Sequence, residues 1–506
     1  MGSTELLIVL DRDSALPLQQ QVCDQFVALV RSGRLRPGDS VPPSRELAHQ
    51  LGVSRTVVLR AYELLRANGV LTARRGSGTQ VAAREELPVP AERPLSRAPL
   101  APQPPRPTDT GHALWQPWEP PPMHRSGGSL DFRHGTPALA SFPVARWRQS
   151  LSDALSRADA TSLGYGLAEG SPALRTEIAT LVRQSRALTA SPESIVVTNG
   201  ATQAMDILVR ALVAPNDVVV IEDPSHTVLR QIFGSSQAAV VPVPVDEEGL
   251  RVGDIDAQVR AHGHDPDRVR LVYVTPSHQF PTGCVMSESR RRALVEWAHE
   301  RGATVLEDDY HNEYTFSDSR LPALAADRHG GVVVYVGSFS KTLFPSLRIG
   351  YAILPRHLVQ PFLGIKWITD RLTATVEQEA LADFISCGAY ARHIGKMTRL
   401  YRQRRRRLLE ALYEHFGAGV RISGEAAGLH VMVTLPGLPA GDEARIADRA
   451  AGLGVRIYPA SGYYVQDPPS EPTFLMGYAA LPTAHITEGV ALLAAAVRET
   501  AAPRPA

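Results

Sequence analysis

The chain has 506 residues, 44% hydrophobic and 21% charged, with a formal net charge of +1. That length calls for two or three domains, and the composition excludes a collagen-like chain, global disorder and a disulfide scaffold. No apolar run reaches the roughly 18 residues of a membrane helix, and no basic region precedes the short apolar stretch at the N-terminus, so neither a membrane span nor a signal peptide is expected. Cys23, Cys284 and Cys387 lie far apart without metal-ligand spacing. They fit free thiols in a reducing cytoplasm, with no metal site.

The near-neutral total hides an asymmetry. Between Arg31 and Arg84 ten arginines stand against three acids, Asp39, Glu46 and Glu63. A compact basic segment of this kind points to a polyanionic partner. Of the 53 basic residues only Lys341, Lys366 and Lys396 are lysines. Chemistry that needs a lysine amine therefore has three candidates.

Residues 1–84 read as a small helical unit. Leu18, Val22, Phe26, Leu29 and Val30 follow helical spacing after Pro17. Ser44 and Ser54 are expected to cap two further helices, ended by Gly52 and Gly69. The pair forms a helix-turn-helix pattern, and VLTARRGSGTQVA reads as two strands of a hairpin or wing. A recognition helix puts its first residues on base edges while flanking cations hold phosphates. Ser54, Arg55, Thr56 and Arg60 on the second helix, Arg45 on the first, and Arg74 and Arg75 on the wing are the candidates for DNA contact.

Residues 85–128 form a proline-rich linker, with twelve prolines from Pro88 to Pro122. Proline at this density blocks helices and sheet ladders and favours extended segments. Trp115 and Trp118 near its end are read as apolar anchors. From about Leu130 the pattern alternates helix and strand. IVVT, VVVIED, RLVYVTP, TVLEDDY and VVVYVGSFSK are short β-rich runs with helical stretches between them, as in an α/β domain with a mainly parallel sheet. Residues 129–370 are assigned to this large domain, 371–500 to a smaller α+β lobe with strands near HVMVTL and TFLMGYAAL, and 501–506 to a tail. The run Arg404 to Arg407 is a candidate for added DNA contacts, but its helical context, YRQRRRRLLEAL, favours a solvated helix face.

Lys341, in Ser338-Phe339-Ser340-Lys341, follows an apolar strand, where its amine can enter the crevice at the carboxyl edge of the sheet. Arg348, seven residues on, is a fixed cation suited to a phosphate. Glu307-Asp308-Asp309-Tyr310 ends another strand, where a buried carboxylate can hold a protonated pyridine nitrogen and the phenol can reach a phenolate oxygen. Asn199-Gly200-Ala201-Thr202 joins a strand to a helix whose first N–H groups can bind phosphate. These are the parts of a pyridoxal phosphate (PLP) site.

The N-terminal segment, with Leu-Arg-Pro-Gly-Asp-Ser-Val-Pro-Pro-Ser-Arg-Glu-Leu-Ala and Leu-Gly-Val-Ser-Arg-Thr, resembles the winged-helix domain of the GntR regulators. Residues 130–500 resemble the fold-type I aminotransferases. With IEDPSH, VYVTPSHQFPTG, LEDDY and GSFSKTLFPSLRIGY, the whole chain resembles the MocR-type transcriptional regulators. The resemblance implies an aldimine between PLP and Lys341, Asp308 on the ring nitrogen, Tyr310 on the phenolate oxygen, and Gly200, Ala201, Thr202, Ser338 and Arg348 around the phosphate. It further implies a homodimer in which Tyr165 reaches the neighbouring subunit's phosphate, operator DNA as partner, and PLP or an amino compound as effector.

Three departures from the aminotransferase pattern stand out. His226 occupies the position of a stacking aromatic. Phe280-Pro281-Thr282-Gly283 replaces Asn-Pro-x-Gly, with His278 or Gln279 as candidates for the lost amide contact. No arginine stands in TFLMGYAAL or before Tyr463-Tyr464 to clamp a carboxylate, and Arg456 is the nearest alternative. These changes point away from a fast transaminase, leave a weak half-reaction, and open the effector to PLP alone or to an amine without a carboxylate as well as to an amino acid. The alternatives are an aminotransferase with an accessory DNA-binding head and a cofactor-free dimerisation scaffold.

Overall fold

The computed structural model describes residues 8, 10–12, 14, 16–31, 35–74, 78–82, 130–160, 163–310, 313–316, 322–326 and 330–501. The linker with Trp115 and Trp118, and Arg75 on the wing, lie outside the described residues. The chain divides into two compact units, residues 1–106 and 107–506.

The first unit holds α1 (Leu18–Arg31), α2 (Ser44–Leu51), α3 (Arg55–Ala67), β1 (Leu71–Arg74) and β2 (Gly78–Val81). Val22, Phe26, Leu47, Val58 and Leu65 are buried in one core, because their helical spacing puts them on inward faces. Gly52 takes the left-handed conformation that ends α2 and turns the chain into α3. Tyr62 ties α3 to the preceding loop by donating to the Pro42 carbonyl at 2.7 Å. β1 and β2 pair antiparallel as a wing, and the 38–41 loop adds hydrogen bonds to β2.

The two serine caps are not made. Ser44 already lies in α2 with Pro43 at the cap position, and its hydroxyl instead meets Arg55 Nε at 3.4 Å. Ser54 occupies the cap position of α3, but no backbone N–H donates to its hydroxyl.

The second unit begins with β3 (Leu130–Asp131), α4 (Val144–Arg157), α5 (Pro172–Arg186), β4 (Ile195–Thr198), α6 (Ala201–Leu212), β5 (Val218–Asp223) and α7 (Thr227–Gly234). It continues through β6 (Ala239–Asp246), β7 (Gly249–Leu250), α8 (Ile255–Ala261), β8 (Val269–Val274), α9 (Glu288–Arg301), β9 (Thr304–Asp309), β10 (Val333–Ser338) and β11 (Gly350–Ile353). Then follow α10 (Arg356–Thr369), α11 (Thr375–Ser386), α12 (Ala389–Phe416), β12 (Arg421–Ser423), β13 (His430–Thr434), α13 (Asp442–Gly452), β14 (Val455–Arg456), β15 (Tyr458–Pro459), β16 (Thr473–Gly477) and α14 (Thr483–Ala501).

Eight strands form one sheet in the order β4-β11-β10-β9-β8-β5-β6-β7. β6, β5, β8, β9 and β10 are parallel, whereas β11 runs antiparallel between β10 and β4. Helices cover both faces, so β4, β5 and β9 are buried along their whole length, which explains their unbroken apolar runs. The smaller lobe is built on a four-stranded antiparallel sheet, β12-β13-β16-β15, packed by α12 and α14. β3, from the start of this unit, pairs with β14 of that lobe.

The run Arg404 to Arg407 is not one solvated face. Four consecutive helical positions point around the axis rather than to one side. Arg404 and Arg405 donate to the carbonyls of Ala479 and Glu425, and Arg405 lies 4.8 Å over the Phe316 ring. Arg406 is exposed, and Arg407 pairs with Glu414 at 3.0 Å. Among the described residues no helix is long and apolar enough to cross a membrane.

Candidate functional site

The loops at the carboxyl ends of β9, β10 and β4, together with His430 at the start of β13, enclose a cavity of about 250 Å³. Lys341, Asp308, Tyr310, His226, Ala201, Thr202, Ser338 and Arg348 all line it. Lys341 sits three residues beyond β10, in a turn. Its Nζ packs against Gly135, whose φ is +68° and where a Cβ would stand 3.1 Å from the amine. Burial lowers the pKa of Lys341; Asp308 opposes this shift and Arg348 adds to it.

Asp308 is the penultimate residue of β9 and is buried. Its Oδ2 accepts from Tyr273 Oη at 2.9 Å, and its Oδ1 has no partner. Burial pushes its pKa up to about 7 against the pull of the Tyr273 hydrogen bond. A buried carboxylate oxygen left open on a cavity wall fits a protonated ring nitrogen.

At another wall, α6 starts at Ala201 with Gly200 before it. Gly200 has φ +81°, and a Cβ there would stand 2.7 Å from Arg348 Nη2. No side chain caps this helix, so its first N–H groups are open to an anion. Arg348 adds a cation beside them and donates to the Asn199 carbonyl at 3.1 Å. The loop is braced from behind: Asp370 accepts from Asn199 Nδ2 at 2.7 Å and Gln203 Nε2 at 2.8 Å. The buried Lys366 amine donates to the same carboxylate at 3.0 Å. Ser338 Oγ accepts from Ser340 N at 3.1 Å, which leaves its proton to donate.

His226 occupies the N-cap of α7, and its Nδ1 accepts from Val228 N at 3.3 Å. Its ring lies 5.2 Å from that of Phe280. Burial, with Lys341 and Arg230 nearby, lowers its pKa to about 4. The imidazole is therefore neutral and still presents a ring face. Tyr310 Oη donates to the His278 carbonyl at 2.9 Å.

Several sequence candidates lie elsewhere. Gln279 does not reach the cavity wall. Its amide donates to the carbonyls of Pro224 and Phe280, both at 2.7 Å, and accepts from Thr282, so it holds the loop together. His278 is turned toward Tyr310 and the Gly424 carbonyl rather than the cavity, and Phe280 lines the wall instead. Arg456 lies in β14, paired with Asp131 of β3, and is not a lining residue. Tyr165 is 80% exposed, under the Arg371 guanidinium at 5.7 Å, and does not line this chain's own cavity. In the first unit Arg45, Ser54, Arg55, Thr56 and Arg60 are all exposed, and Arg74 lies on β1.

The sequence reading missed Tyr273, which holds Asp308, and the residues His134, Phe280 and His430 of the wall. The alternation within RLVYVTP places Tyr273 on one face of its strand; nothing local pairs it with Asp308. Among the described residues no three His, Cys, Asp or Glu side chains gather as a metal site.

Two family models match the chain: "Bacterial regulatory proteins, gntR family" over residues 18–81 and "Aminotransferase class I and II" over residues 130–491. The chain is 34% identical to the HTH-type transcriptional regulator YdeL of Bacillus subtilis, over 96% of this chain and 98% of that protein. It is 32% identical to the probable rhizopine catabolism regulatory protein MocR of Rhizobium meliloti, over 98% of this chain and all of that protein. Among solved structures, LysN, an alpha-aminoadipate aminotransferase of Thermus thermophilus complexed with N-(5'-phosphopyridoxyl)-L-leucine, superposes with a TM-score of 0.65 at 29% identity. That match covers 74% of this chain and 93% of the enzyme. The fold therefore carries the capacity for PLP that this class of enzymes shares.

Proposed function

The chain belongs to the MocR-type GntR regulators, and from that premise we propose that its aminotransferase-fold unit holds PLP at Lys341 and reports that site's occupancy, by PLP or by an amino compound, to a winged helix on operator DNA. The observation that carries this reading is the unpartnered Asp308 Oδ1, buried on the wall of the cavity that Lys341 also lines. PLP, when bound, supplies a carbonyl carbon that condenses with primary amines. The residues do the rest. Asp308, held by Tyr273, carries the charge that keeps a ring nitrogen protonated. The first N–H groups of α6, Ser338 and Arg348 bind the phosphate, with Gly200 providing the room. Tyr310, whose proton goes to the His278 carbonyl in this structure, lines the cavity where turning that hydroxyl would meet the ring oxygen, and His226 covers the ring face. Burial lowers the basicity of the Lys341 amine, a shift toward the neutral form that a nucleophile needs.

The protein acts as a homodimer in this reading. Tyr165, Leu163, Leu167 and Ile368 are large apolar side chains left exposed, as residues that meet a second copy are before it docks. Tyr165 then reaches the neighbour's phosphate site, and two winged helices read two half-sites. In the first unit, Arg55 and Thr56 at the start of α3 face solvent and are placed to meet base edges, with Arg45 and Arg60 toward phosphates. The cavity is poorly equipped for fast transamination. Among the described lining residues the cations are Lys341 and Arg348, and neither is free to clamp a substrate carboxylate.

The test is the visible spectrum of the pure protein with PLP, before and after borohydride, followed by peptide mapping. A reduced adduct on Lys341 is expected. No adduct on any lysine would favour the cofactor-free scaffold.

A further inference from the structure

One part of the cavity wall is made of imidazoles and aromatic rings. His134 and His430 line the cavity with Phe280. The His134 ring lies 5.5 Å from Phe280, 6.1 Å from His430 and 5.8 Å from Tyr463. Its Nε2 meets Tyr463 Oη at 3.3 Å, and its Nδ1 is buried with no hydrogen-bond partner. A buried polar nitrogen without a partner, on a ligand cavity, calls for one.

Among the described residues the lining cation nearest this part of the cavity is Lys341, whose Nζ packs against Gly135 and which the reading above commits to PLP. Arg348 is committed to the α6 end through the Asn199 carbonyl. Arg133, next in sequence to His134, does not line the cavity: its Nε donates to Tyr458 Oη at 3.2 Å and its Nη2 pairs with Asp131 at 3.5 Å. Arg230 donates to the Gly462 carbonyl at 3.0 Å and also stays off the wall. A carboxylate placed among these rings would be desolvated without a charge partner. A hydroxyl would not. It both donates and accepts, so it satisfies Nδ1 whichever tautomer the Tyr463 contact selects.

We infer that His134 is a specificity-determining residue, and that the effector is a primary amine whose far end carries a hydroxyl, an amino alcohol rather than an amino acid. This rests on the PLP reading above.

The test uses the full-length protein loaded with PLP and follows the visible band during titration. Ethanolamine is compared with glycine, and propanolamine with β-alanine. Each amino alcohol should perturb the band at about tenfold lower concentration than its amino acid, as a site built around a hydroxyl requires. His134→Phe should collapse that ratio toward unity, and His134→Gln, which donates and accepts, should keep most of it. Thermal shifts measured with the same four probes give a second readout independent of colour. Equal or reversed preference in the wild type, or an unchanged ratio in His134→Phe, overturns the inference while the PLP reading stands. A protein that takes up no PLP at Lys341 overturns both.

Discussion

Tyr273 Oη donates to Asp308 Oδ2 at 2.9 Å and leaves Asp308 Oδ1 with no partner. The two residues are 35 apart in sequence, on adjacent parallel strands β8 and β9. One oxygen is fixed so that the carboxylate is oriented; the other is kept open. Such an arrangement costs stability until a cation arrives, because burial disfavours the charged form.

That cost has a pH signature. The folded pKa of Asp308, about 7, lies above the ordinary aspartate value. The stability tied to its protonated form is present at low pH and is lost as pH rises from about 4 through 7. By pH 8 the loss is roughly 4 kcal/mol, an order of magnitude set by the size of the shift. Without PLP, Asp308→Asn should melt several degrees above the wild type at pH 8, with the gap closing toward pH 4. Saturating PLP should reverse the order, since only the carboxylate pairs with the ring. Calorimetry at both pH values, with and without PLP, checks this.

Gly200 gives a steric test of the phosphate end. Its φ of +81° is costly for any residue with a side chain, and the added Cβ would meet the Arg348 guanidinium. Gly200→Ala should weaken PLP uptake by about tenfold or more, a loss near 1.4 kcal/mol or above. PLP titration followed at the visible band measures it. An unchanged affinity would remove Gly200 and Arg348 from the phosphate cup.

How much of the fold and site is legible in the sequence follows from range. The strands of the large sheet stand out because burial on both faces makes them apolar runs, and Lys341 stands out because lysine is rare here. Gly200 and Arg348 are found by their spacing from a strand end and from Lys341. Local pattern says little about side-chain direction in irregular segments. Gln279 is expected on the cofactor, yet the turn through Phe280 and Pro281 spends its amide on neighbouring carbonyls. The contact between His134 and Tyr463 spans 329 residues and exists only because β3 and β14 join the two ends of the unit. The Ser44 cap fails for a smaller reason: the helix after Pro43 starts one residue earlier than that cap requires.

DNA binding and PLP attachment should separate by mutation. Arg55 is exposed at the start of α3, touching only Ser44 Oγ among the described contacts, so its loss removes a base contact without unpacking the core. Arg55→Ala should cost about 1–3 kcal/mol of operator affinity and leave the PLP band intact. Lys341→Ala should abolish the borohydride adduct and leave most of the basal affinity. Fluorescence anisotropy on operator DNA, run beside absorbance, reads both. Full operator affinity in Arg55→Ala would end its assigned role.

The histidines on the cavity wall, with His278 behind it, set an acid limit. Burial lowers His134 to about 3 and His226 and His278 to about 4, and it holds His430 well below the ordinary imidazole value. A depressed histidine is protonated in the unfolded chain while neutral in the fold, so stability falls as pH drops below about 6.5. Near pH 5 each such group contributes a slope of about 1.4 kcal/mol per pH unit, and His134, lowered to about 3, keeps most of it down to pH 4. Asp308 works in the opposite direction over part of that range, so the total slope does not isolate any one residue. The difference between wild type and His134→Gln does. The variant should lose one proton's worth of slope between pH 6 and 4, and the two curves should run parallel above pH 7.5. Urea unfolding of the PLP-free protein at half-unit pH steps measures the difference. Parallel curves throughout would mean that His134 is solvated enough to titrate normally, and a charged imidazole at that wall would admit a carboxylate after all.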